Sequence, residues 1–186
     1  MNDEDHQAIT RTRNWVEKFV IKHNFCPFAG KPMLQDKIRI TTSDVSNEKD
    51  IIDDLVIELT KIKDTAASEL ETTLLVMTNC LDKFEDYNQF LDVVDAILEE
   101  MELIGEIQVA SFHPRYQFAD LTVDDVRNYT NRSPYPMFHL IREDSVEKAR
   151  ESYPDVDEIP DRNMELLETL GLETVTQTLE DINSNH

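Results

Sequence analysis

Two short stretches gather most of the side chains able to do chemistry: Asn24-Phe25-Cys26-Pro27-Phe28-Ala29 and the run from His113 to Arg142. An imidazole titrates near neutrality, which makes His113 a candidate general acid or base, and Cys26 is a candidate nucleophile if a cation stabilises its thiolate. Position counts against that thiolate. Cys26 follows the carboxyl end of a helix, where the partial negative charge raises a thiol's pKa, and buried, unreactive cysteine is the structural alternative. Arg132, between Asn131 and Ser133 on a loop stiffened by Pro134 and Pro136, offers a planar fork for bidentate binding of a carboxylate or phosphate. Its structural alternative is to tie down its own loop through Asp120 or Asp124. Asn131, Ser133, Tyr116 and Arg142 complete the ligand-binding candidates, and Phe118, Tyr129 and Tyr135 join Tyr116 as aromatics able to line a pocket.

Other chemistries find less support. Cys26, His113 and His139 are residue types that hold zinc, but no pair has the close spacing of a CxxC or HExxH motif, so no metal site is expected. His139 alternates with Met137 and Ile141 on one strand face and reads as a satisfied, half-buried histidine. Three glycines in the whole chain leave no glycine-rich cradle for phosphates and no dinucleotide fingerprint. No cofactor is implied.

The chain of 186 residues carries 39 acidic and 18 basic side chains, a net charge of −21, which repels nucleic acid and anionic membrane over most of the surface. The charge is uneven. Residues 11–40 hold Arg11, Arg13, Lys18, Lys22, Lys31, Lys37 and Arg39 against Glu17 and Asp36, a net of +5. Residues 108–142 are also slightly positive, so these segments could offer a cleft to a small anion; the alternative is that amphipathic helices simply place their acids in water. The amino-terminal stretch lacks the basic and apolar regions of a secretion signal, no apolar run is long enough to span a membrane, and two cysteines make no disulfide framework. A cytoplasmic protein with reduced thiols is expected.

These side chains need elements to position them. Ile9, Trp15, Val16, Phe19 and Val20 follow helical spacing, which predicts a helix over residues 5–23. Residues 37–42 alternate as a strand, Ser46 or Asn47 caps a helix carrying Ile51, Leu55, Leu59 and Ile62, and residues 73–78 form a buried strand. Phe84, Tyr87, Phe90, Val94, Ile97 and Leu98 make a long helical stripe that Gly105 should stop. A strand over residues 107–112 exits at His113. A short helix opened by Thr122, with Asp125 in capping-box register, leads to a fourth strand over residues 137–142. Helices then fill residues 144–182, broken at Pro154 and Gly171.

The expected architecture is one α/β domain over residues 1–186, a small mixed, mainly parallel sheet of about four strands covered by helices, with a helical carboxyl-terminal tail. Ligands in such sheets lie outside the carboxyl ends of the strands. If the fourth strand runs antiparallel, residues 131–136 fall beside the loop that begins at His113. Strand order and oligomeric state are not readable.

The strings Asn24 to Ala29, Asp86-Tyr87-Asn88-Gln89-Phe90-Leu91-Asp92, Gln108 to Phe118, Asn128 to Pro136 and His139 to Glu143 resemble domain of unknown function 1415, over roughly Ile9 to Leu170. That resemblance implies one domain of a mostly bacterial, cytoplasmic group with no assigned reaction, and it adds the start of the long helix, Asp86 to Asp92, as a further border of the crevice. The functional expectation is a small-molecule enzyme or anion-binding protein whose pocket is built from residues 113–120 and 128–142. The alternative is a non-catalytic interaction protein whose acidic helices bind a basic partner.

Overall fold

The structure is a computed structural model that describes residues 2–153 and 155–184. Its first helix, α1 (Asp3–Trp15), opens on a reciprocal capping box between Asn2 and Asp5, which satisfies backbone donors that a helix start leaves free. It runs directly into a π-helical segment, Val16–Ile21, so the hydrogen-bond ladder widens immediately after Trp15. Asn24, at φ 56, then turns the chain. A short helix, α2 (Gly30–Leu34), follows. The sequence pattern does not announce it, although Pro32 in its first turn is compatible with helix because the N–H missing there has no helical partner to lose.

Four strands follow: β1 (Ile38–Ser43), β2 (Thr72–Met77), β3 (Ile107–Phe112) and β4 (Met137–Arg142). Between the first three lie α3 (Glu48–Asp64), capped by Asn47, and α4 (Phe84–Glu100). The left-handed turn that ends α4 falls at Glu102, φ 56, ahead of Gly105, which takes φ 84 in the turn into β3.

The sheet order is β1-β2-β4-β3, with β1 parallel to β2 and β4 antiparallel to both its neighbours. The sheet is therefore mixed, as expected. The three earlier strands do point one way, but β4 is wedged between β2 and β3, so the second crossover does not pair its own two strands. Phe112 faces Met137 across the ladder. The loop leaving β3 and the loop feeding β4 thus meet at one edge, which is also the carboxyl edge of β1 and β2.

Alternation splits the sheet's side chains between two cores. Leu75, Met77, Ile107, Phe138 and Leu140 pack with α3 and α4. Ile38, Leu74, Val76 and Met137 pack on the other side with Ala8, Trp15, Val16 and Phe19, and with Leu167, Val175 and Ile182 of the tail. That tail comprises α5 (Glu143–Ser152), α6 (Ile159–Leu170) and α7 (Leu172–Ser184). The expected break at Pro154 lies outside the described residues. Leu172, which opens α7, is 39% exposed. Among the described residues no helix is long and apolar enough to cross a membrane.

Candidate functional site

At the carboxyl edge the two loops are stitched together by their backbones. The His113 N–H donates to the Asn131 carbonyl at 3.2 Å, and the Asn131 side-chain amide donates to the Ser111 carbonyl at 3.1 Å. The His113 ring is fully buried against Phe84 and Tyr87. Its Nδ1 accepts the Arg115 N–H at 2.9 Å, which leaves Nε2 to carry the proton and donate to the Leu81 carbonyl at 3.1 Å. Burial holds this imidazole below its ordinary pKa, against the opposing pull of the Leu81 carbonyl. Both ring nitrogens are thus occupied.

Within the long loop, Asp125 caps the short 3₁₀ helix Val126–Thr130 directly, in place of the expected capping-box partnership with Thr122. Hydrogen bonds from Arg127 hold that carboxyl at about 2. Asn128, fully buried, accepts from the Phe118 N–H and donates to the Thr122 carbonyl. Arg132 donates from Nε to the Tyr116 carbonyl at 3.1 Å and from Nη2 to the Val123 carbonyl at 2.6 Å, while its guanidinium lies over the Tyr129 ring. The fork ties down its own loop, through the Tyr116 and Val123 carbonyls and not through the expected Asp120 or Asp124. Ser133 donates to the Tyr135 carbonyl at 2.6 Å, and Tyr116 packs on Phe84.

The structure therefore gathers His113, Tyr116, Asn131, Arg132 and Ser133 at one edge and leaves two candidates elsewhere. Arg142 ends β4 at the opposite edge and donates to the Leu70, Ile62 and Thr65 carbonyls. Cys26 is half-buried in the loop after the π segment, on the α1 side of the sheet, whereas the His113 ring lies on the α4 side. Burial raises the Cys26 thiol, with the Phe28 and Ala29 N–H groups opposing. Asp86, Asn88, Gln89 and Asp92 are all exposed on α4, while Tyr87 and Phe90 between them point into the core.

A different set of polar atoms is left without partners. Arg11 Nε, Thr12 Oγ1 and Trp15 Nε1 are buried and make no hydrogen bond. Spaced at about 100° per residue, these three side chains fall within one arc of about 100° on α1. Arg11 Nη1 donates to the Tyr135 hydroxyl at a long 3.3 Å, which brings this arc to the loop feeding β4. Trp15 meets Phe112 edge-on at 5.5 Å, and Phe112 meets His139 at 6.1 Å. His139 is partly exposed yet densely surrounded, and the resulting desolvation lowers its pKa to about 4. Thr72 commits its hydroxyl proton to the Leu140 carbonyl, so the 2.8 Å contact between Thr72 Oγ1 and His139 Nε2 has the ring donating. Asp5 Oδ1 and Thr73 Oγ1 also lack partners, but Asp5 lies about 9 Å along the helix from Arg11 at 1.5 Å per residue, and Thr73 belongs to the α3 side of the sheet.

Arg11, Thr12 and Trp15 are not singled out by the sequence pattern. Its one pointer is the net +5 of residues 11–40, which begins at Arg11. Among the described residues no three His, Cys, Asp or Glu side chains cluster as metal ligands would. A groove of about 760 Å³ runs along the outer face of α4 between Asp92, Asp95, Glu99, Glu102 and Ile104, away from all of these donors. Residues 7–177 match the family described as a protein of unknown function (DUF1415). No curated protein and no solved structure matches the chain.

Proposed function

The chain belongs to that family, and from this premise we propose that it binds a small anionic ligand at the carboxyl edge of its sheet, anchored by the Arg11 guanidinium beside the Tyr135 hydroxyl. One observation carries the reading. In a chain of net charge −21, Arg11 has no ion pair among the described residues, and its Nε is buried without a hydrogen-bond partner. A buried donor left unsatisfied costs about 1–3 kcal/mol, and more when charged. An anion bound there would recover that cost. The anchor thus sits on α1, while the other wall, Tyr135, belongs to the segment from Asn128 to Arg142.

His113, Asn128, Arg132 and Ser133 support this reading as the framework that holds the loop carrying Tyr135. Acid-base work by His113 is disfavoured because both ring nitrogens are engaged, and a thiolate–imidazole pair with Cys26 is disfavoured because the two lie on opposite faces of the sheet. The acidic face of α4 is the feature that favours a basic partner, but acidity alone names no partner.

The test is thermal unfolding in formate, acetate, phosphate and sulfate at matched ionic strength, for the parent and Arg11→Gln. A ligand present at 100 times its Kd stabilises by about 2.7 kcal/mol. At least one anion is expected to raise the parent Tm by several degrees, with most of that rise absent in Arg11→Gln. Equal shifts in both proteins, or none in the parent, would sink the proposal.

A further inference from the structure

Resting on the anion site just proposed, the geometry points to its ligand class: we infer a small monocarboxylate that carries a neutral oxygen, oxo or hydroxyl, within an atom or two of the carboxylate. The charge count argues first. The site holds one guanidinium without an acidic partner, no glycine-rich loop adds backbone donors, and the other two partnerless atoms on the arc are neutral. A single negative charge balances this arrangement. A phosphate dianion would leave one charge uncompensated inside a chain already at −21, and an uncompensated buried charge is strongly destabilising.

The two neutral atoms argue the rest. Thr12 is 0% exposed and Trp15 is 3% exposed, and each holds a polar hydrogen with nowhere to donate it. An indole N–H can only donate. It therefore asks for an oxygen acceptor, and Thr12 Oγ1 can donate to the same oxygen or accept from it if it is a hydroxyl. Arg11 and Trp15 are four residues apart on α1, neighbours with Cβ atoms about 5–6 Å apart, so the acceptor must lie close to the anion. The neighbouring side chains are apolar and aromatic, with Phe112 against Trp15 and Met137 fully buried in the same core. That favours a short carbon body over a sugar or a polyol. The ladder widens into a π segment directly after Trp15, a distortion that recurs at functional sites. The Arg11–Tyr135 contact beside this arc is long, at 3.3 Å.

Calorimetric titration with propanoate, 2-oxopropanoate and inorganic phosphate separates the alternatives, using the parent, Arg11→Gln, Trp15→Phe and Thr12→Val. The parent should bind 2-oxopropanoate about 10-fold or more tighter than propanoate, as one buried donor finding its acceptor implies, and bind phosphate more weakly than either. Trp15→Phe should collapse that ratio toward one. Thr12→Val, which keeps the shape and removes only the hydroxyl, should reduce the ratio while folding as the parent does. Arg11→Gln should weaken both acids together. Equal binding of the two acids, abolished in Arg11→Gln, overturns this inference and leaves the anion site standing. Preference for phosphate, or a ratio indifferent to both Trp15→Phe and Thr12→Val, likewise overturns it. No binding of any probe overturns the anion site as well.

Discussion

Tyr87→Phe is expected to lower the unfolding free energy by about 3 kcal/mol, because a buried carbonyl and a part-buried N–H lose their shared partner, at about 1–3 kcal/mol for each group left unpaired. The Tyr87 side chain is 0% exposed. Its hydroxyl donates to the Met137 carbonyl at 2.8 Å and accepts the Phe112 N–H at 3.0 Å. Phe112 and Met137 are the last facing pair of the β3–β4 ladder, so one phenol from α4 closes the edge where both site loops begin. Phe has nearly the same volume, and no cavity complicates the comparison. For a domain of this size each kcal/mol moves Tm by about 2–4 °C, so a fall of roughly 10 °C is expected. A fall below about 2 °C would show that the strands close on each other without the phenol. The spacing of the His113 and Tyr135 loops would then be fixed by the strand ladder alone, with no contribution from α4.

The second large effect is a dependence on acid. Burial places the folded-state pKa of His139 at about 4, against 6.5 for the free side chain. The unfolded chain therefore takes up this proton first as pH falls. Stability from the neutral ring is complete above about pH 6.5 and is lost progressively toward pH 4, in total about 3 kcal/mol at 1.36 kcal/mol per pKa unit. Carboxylate repulsion relaxes over part of the same range and acts in the opposite direction, so the informative quantity is a difference between proteins. His139→Gln keeps a donor for Thr72 and removes the titration. Denaturant unfolding of both proteins from pH 7 to pH 4 should show the parent losing about 3 kcal/mol more than the variant. Parallel curves, or a ring titrating near 6.5 by NMR, would contradict the account.

Much of the fold could be read from the sequence because burial leaves a periodic trace. The stripe of Phe84, Tyr87, Phe90 and Val94 became α4, Asn47 caps α3 as expected, and the antiparallel fourth strand brings residues 131–136 beside His113. Periodicity says nothing about which strands are neighbours, so the insertion of β4 between β2 and β3 was out of reach. Nor does it register the π segment, because Val16, Phe19 and Val20 keep helical spacing whether the ladder closes over four residues or five. α2 escaped for lack of length, having too few turns to show a stripe.

The edge where the two polar loops meet was legible, but the bonding state of their side chains was not. Arg132 has the chemistry of a ligand clamp, yet carbonyls satisfy a guanidinium as readily as a carboxylate does, and only the folded loop shows that Tyr116 and Val123 supply them. Arg142 meets the same fate at the far edge. Arg11 stands in the opposite case, as an ordinary helical cation by sequence whose partnerless Nε appears only once α1 lies on the sheet. The fold thus satisfies the two arginines that the sequence singled out and leaves Arg11 Nε, which it did not, without a partner.

Trp15 is the only tryptophan in the chain, so its indole N–H gives a single, unambiguous ¹H–¹⁵N cross-peak at the centre of the proposed site. On titration with 2-oxopropanoate that peak is predicted to move downfield and saturate with the Kd found by calorimetry in the parent, and to stay in place in Arg11→Gln. A peak that remains fixed while the parent binds the acid would contradict the Trp15 contact, and one that moves equally without Arg11 would contradict the anion site at α1.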